Sequence, residues 1–70
     1  MRYEDLPLTG GTTFVSQLTG LPPTMIRRLT KVDPEFPKPF VINDRGDLRW
    51  VISEVLRWLE TRAGRTLLAA

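Results

Sequence analysis

Four residues of this sequence have side chains suited to reading a nucleic-acid duplex: Thr24, Arg27, Arg28 and Lys31. Their spacing puts them on one side of a helix, apart from Ile26 and Leu29, which face a core. An arginine fork pairs with a guanine edge through two hydrogen bonds, and lysine or threonine contacts bases or phosphates. The plain alternative is a solvated helix face. Further on, Arg45 lies in the run Asn43-Asp44-Arg45-Gly46-Asp47, where a protruding cation suits a minor groove or a phosphate. Asp44 and Asp47 limit its approach to phosphate, and a solubilising turn arginine is the other reading. Arg49 can reach a phosphate or pair with an acid of the same hairpin. Thr12 and Thr13 stand where a helix begins, suited to capping it and placed for a phosphate held by free amides.

Other chemistries are poorly provided for. The chain has 70 residues with no cysteine and no histidine, which excludes disulfides, the usual zinc sites and a histidine base. Ser16 and Ser53 are the only serines, the acids are scattered, and no glycine loop of the phosphate-cradling kind occurs. An enzyme is therefore not expected, nor is a cofactor or metal. No apolar run approaches the roughly 20 residues of a membrane span, and the N-terminus lacks a signal-peptide core, so a cytoplasmic location is expected. Net charge is only +2, and its distribution is more informative than its size. Between Leu8 and Val32 the charged residues are Arg27, Arg28 and Lys31, with no acid among them.

The elements that position these residues follow from the spacing. Residues 1–11 have no helical period and read as an extended segment, with Leu6 and Leu8 capping the core. A short helix begins at Thr12 or Thr13 and buries Phe14, Val15 and Leu18. Gly20 suits the left-handed conformation that ends it, and Pro22-Pro23 suit the first turn of a second helix running from about Pro23 to Lys31 or Val32. Three prolines between Asp33 and Pro39 force an extended connector, with Phe36 as a core plug. Phe40-Val41-Ile42 and Leu48-Arg49-Trp50 flank a turn-forming run and predict a β-hairpin. Ile52, Val55, Leu56 and Leu59 follow the i, i+3, i+4, i+7 template of a last helix, which Gly64 stops. Trp50 and Trp58 are read as core bulk rather than as base-stacking platforms. Residues 64–70 read as a loose tail.

Two short helices, a hairpin and a closing helix make an α+β chain of compact winged helix-turn-helix type over residues 12–63. The ordered set Val15-x-x-Leu18-Thr19-Gly20-Leu21, Ile26-x-Arg28-Leu29, Phe36-Pro37-x-Pro39, Arg49-Trp50 and Glu54-Val55-x-x-Trp58-Leu59 resembles the AlpA/excisionase family. These are small phage and prophage proteins related to the DNA-binding part of MerR regulators. The likeness covers roughly residues 13 to 62. It departs at Pro22, where a serine-like cap is common, and at Arg27, often an aromatic position.

The resemblance implies binding of double-stranded DNA by the second helix and the wing. It also implies a role in directing phage excision together with an integrase, or in regulating transcription at an operator. The DNA contacts would then be Thr24, Arg27, Arg28, Lys31, Arg45, Arg49 and Thr13. One recognition helix and one wing give a short footprint, so several copies lying side by side and bending attachment-site DNA are expected. Arg65, Leu67 and Leu68 are the candidates for touching a neighbouring copy or the integrase. The rival from another class is a protein-interaction module whose basic helix binds an acidic partner.

Overall fold

A computed structural model describes residues 5–67. In chain order the elements are β1 (Thr9–Gly10), α1 (Thr12–Thr19), α2 (Pro23–Val32), β2 (Phe40–Val41), β3 (Leu48–Val51) and α3 (Ile52–Ala63). Three helices and a three-stranded antiparallel sheet make this a small α+β fold.

The corner between α1 and α2 is closed locally. Gly20 sits at φ 76° and its amide donates to Ser16 O at 2.9 Å, ending α1. Ser16 Oγ donates to Leu21 O, Thr19 Oγ1 donates to Val15 O, and the Leu21 amide donates to Thr19 Oγ1. The polar groups exposed by ending one helix are thus taken up by two side chains of that same helix. Pro22, in extended conformation, then caps α2 through its carbonyl, which accepts from the amides of Met25 and Ile26. At the other end, the Asp33 amide donates to Leu29 O and Lys38 Nζ donates to Thr30 O at 2.8 Å. A cation on the last carbonyls of a helix opposes its negative end.

The sheet order is β1-β3-β2, so β3 is the central strand. Phe40 pairs with Arg49 and Val41 with Leu48 on one side; Thr9 pairs with Val51 and Gly10 with Trp50 on the other. Gly10 is packed too tightly for a side chain: a Cβ there would meet Phe14 Cδ2 at 2.6 Å. The core is Val15, Ile26, Phe36, Trp50, Ile52, Val55 and Leu56, with Leu6, Phe14, Leu18, Leu21, Leu29 and Trp58 packed against it. No charged side chain is buried among the described residues.

Several expectations need correction. The segment before α1 is not merely extended: Thr9–Gly10 is a strand of the sheet, which brings these residues into the fold. Leu8 is 88 % exposed and does not cap the core, a role that falls to Leu6. Neither Thr12 nor Thr13 caps α1, because Gly11 holds the cap position with no side-chain bond. Trp58 is only half-buried, at the rim of the core. Past Gly64, the amides of Arg65 and Leu67 donate to Glu60, so residues 65–67 lie against the last turn of α3. Leu68, and residues 1–4 of the N-terminal segment, lie outside the described residues.

Candidate nucleic-acid interface

The face of α2 turned away from the core carries the residues singled out by spacing. Ile26 is fully buried and Leu29 half-buried, and this anchors one side of the helix. Thr24, Arg27, Arg28 and Lys31 are all exposed on the other. None of the three cations makes an ion pair among the described residues. The first turn of α2 is a poor seat for an anion. Pro23 has no amide hydrogen, and the amides of Met25 and Ile26 are spent on Pro22 O. Of that turn's backbone donors only the Thr24 amide is left, so most of any contact falls to its side chains.

The β2–β3 hairpin stands beside this helix. Arg27, Thr30 and Lys31 of α2 and Leu48 and Trp50 of β3 line one cleft of about 210 Å³. The hairpin turn is held by Asn43, whose Oδ1 accepts from the amides of Arg45 and Asp47 and whose Nδ2 donates to Asp47 Oδ2. Gly46 takes φ 80°, a conformation that a side chain would strain. Arg45 projects from this turn with its side chain 83 % exposed, 3.5 Å from Asp47 Oδ2. So fully solvated a pair adds little to stability and is readily exchanged for another anion.

Arg49 and Thr13 are placed differently. Arg49 Nε and Nη2 both reach Thr9 Oγ1 at 3.4 Å, and Nη2 also reaches Thr9 O at 3.3 Å. The guanidinium bonds β1, not an acid of its own hairpin. Half-buried and engaged in this way, it straps the sheet together. Thr13 is exposed near the start of α1, whose cap residue is Gly11. Of the residues proposed for protein contact, Arg65 and Leu67 are exposed.

A cluster behind α2 had no clear sequence signal. Asp33, the first residue after the helix, accepts the Glu35 amide on Oδ1, and Trp58 Nε1 and the Arg62 guanidinium on Oδ2. Trp58 in turn meets Phe36 edge-on at 4.9 Å, with Arg62 over its ring at 5.4 Å. The Glu35 amide is the main cause that lowers the Asp33 carboxyl below its ordinary range; partial burial opposes it, and Trp58 and Arg62 assist. The cluster ties the end of α2 to α3. In the sequence only the run Asp33-Pro34-Glu35 pointed to it, as a side chain able to bond the amide two residues on.

Among the described residues there is no group of acids able to hold a metal, and no helix is long and apolar enough to cross a membrane. Comparison with protein-family models, with curated proteins and with solved structures found no match, so the site is read from its own geometry.

Proposed function

We propose that this chain is a sequence-specific binder of double-stranded DNA, built as a winged helix-turn-helix. In this reading α2 enters the major groove and the β2–β3 hairpin is the wing. The observation that carries it is the exposed face of α2: Thr24, Arg27, Arg28 and Lys31 stand together without acidic partners among the described residues, beside a hairpin tipped by Arg45. Arg28 is the base reader, while Arg27, Lys31 and Arg45 bind phosphate. Arg49 acts through the sheet, and Thr13 is a peripheral phosphate contact. The biological setting we propose is phage excision: copies bind side by side on attachment-site DNA, bend it and assist an integrase. That setting rests on the resemblance to the AlpA/excisionase family. An operator-binding regulator is the alternative on the same scaffold.

One observation supports a protein partner alongside DNA. Phe40, Val41, Ile42 and Leu48 all remain exposed on the hairpin, Val41 and Leu48 paired on one face and Phe40 on the other, apolar groups suited to a protein partner such as an integrase. The test has two stages. Binding of random duplex DNA that weakens steeply with salt separates a DNA binder from a module for acidic proteins. Gel shifts and circular-permutation bending on one-site and multi-site fragments then separate the two roles. Cooperative filling with an added bend is expected, and removal of residues 65–70 should abolish the cooperativity while sparing single-site binding. Independent filling without a bend would leave the operator-binding regulator.

A further inference from the structure

The two flanks of α2 differ in chemistry. Counting about 100° per residue round the helix, Thr24, Arg28 and Lys31 fall within about 60°, with Arg27 about 40° further on beyond Lys31. Arg27 and Lys31 form the flank that faces the hairpin across the cleft with Leu48. On the opposite flank, about 80–100° from Thr24, stand Met25 and Val32. Both are exposed, at 37 % and 65 %, and Leu29 continues the strip inward to the core. One flank is thus cationic and the other apolar.

Resting on the DNA-binding reading above, we propose that Met25 is a specificity residue that selects thymine through its 5-methyl group. Residues near the start of a groove-bound helix are the ones that meet base edges. At this start the backbone offers only the Thr24 amide, since Pro23 has no N–H and the Met25 and Ile26 amides are bonded to Pro22 O. The turn speaks through the side chains of Thr24 and Met25. A thioether chain has no strong hydrogen-bonding group, and the one apolar feature on the major-groove edges is the thymine methyl. Its flexible, polarizable chain fits such a contact without demanding one geometry. Arg28 follows three residues on, about 4.5 Å along the axis. Bases on a strand are about 3.4 Å apart, so with the helix lying along the groove the thymine read by Met25 would fall one or two steps from the guanine read by Arg28.

Selection from a random duplex library with the intact protein gives the preferred site. Each thymine in it is then replaced by deoxyuridine, which removes only the 5-methyl. At one position the wild-type protein should lose about fourfold in affinity, the worth of one buried methyl group. Met25→Ala should weaken binding to the thymine site and be indifferent to the replacement, while Met25→Leu keeps the preference. Because Met25 is outside the core, circular dichroism should show both variants folded. A site indifferent to every uracil, or a Met25→Ala protein that still distinguishes the two bases, overturns the proposal while leaving DNA binding intact. If no sequence is enriched and duplex binding shows no salt dependence, the DNA-binding reading falls, and Met25 with it.

Discussion

The salt dependence of DNA binding can be worked from the placement of each cation. Arg27 and Lys31 flank the cleft beside the hairpin, and Arg45 projects from the hairpin tip. Arg28 is assigned to a base, and Arg49 is engaged with Thr9 inside the sheet. Three phosphate contacts at about 0.9 each give a slope of log K against log salt near −2.7. Between 50 mM and 200 mM salt that is a loss of about 40-fold. Fluorescence anisotropy on a labelled duplex, titrated at four or five salt concentrations, measures it directly. Lys31→Ala should reduce the slope to about −1.8, since one phosphate contact is gone. Arg28→Ala should leave the slope unchanged, yet cost about 1–3 kcal/mol on the preferred site and far less on random DNA. Arg45 starts beside Asp47 in a solvent-exposed pair that is readily exchanged, so its phosphate contact is counted in full. The reasoning is refuted if Arg28→Ala flattens the slope as Lys31→Ala does, or if Arg49→Ala flattens it without lowering the melting temperature.

Three further outcomes concern the fold. Trp50→Ala removes a fully buried indole and should cost about 3–5 kcal/mol, enough to unfold so small a domain; Trp58→Ala, at the rim, should cost less, as thermal melts will show. Gly10→Ala drives a Cβ to 2.6 Å from Phe14 Cδ2 and should cost about 1–3 kcal/mol in a urea titration. Asp33 has its carboxyl pKa lowered in the folded chain from the ordinary 3.8, so its contribution is complete above that value and is lost as pH falls through the lowered one. Wild type should accordingly be more stable than Asp33→Asn at neutral pH, and the gap should shrink in melts taken below about pH 4; a constant gap would refute the assignment.

What could be read from the sequence was local chemistry with a strong period or a strong stop. The start of α2 at Pro23, the glycine stops at Gly20 and Gly64, and the apolar stripe of α3 each follow from a few adjacent residues. So does the exposure of Thr24, Arg27, Arg28 and Lys31, fixed once Ile26 must face inward. The features that escaped are those created by distant partners. Thr9-Gly10 is too short to show alternation and its glycine disfavours a strand, and it becomes one only because β3 supplies an edge. Arg49 reads as reaching a phosphate or pairing with an acid of its own hairpin because Thr9, its acceptor, lies 40 positions away. Asp33 read as a connector residue because Trp58 and Arg62 are separated from it by 25 and 29 positions.

The placement of β3 in the middle of the sheet also governs the order in which the chain can acquire structure during synthesis. Thr9 and Gly10 leave the ribosome 42 and 40 residues ahead of their partners Val51 and Trp50. Until then α1 and α2, of 8 and 10 residues, are too short to persist alone and lack the indole that completes their core. An N-terminal fragment therefore has neither a sheet to join nor a hydrophobic face that is covered. Stalled or truncated products should remain unfolded and open to proteolysis, and the finished chain should fold in a single concerted step with its first strand among the last pieces to lock.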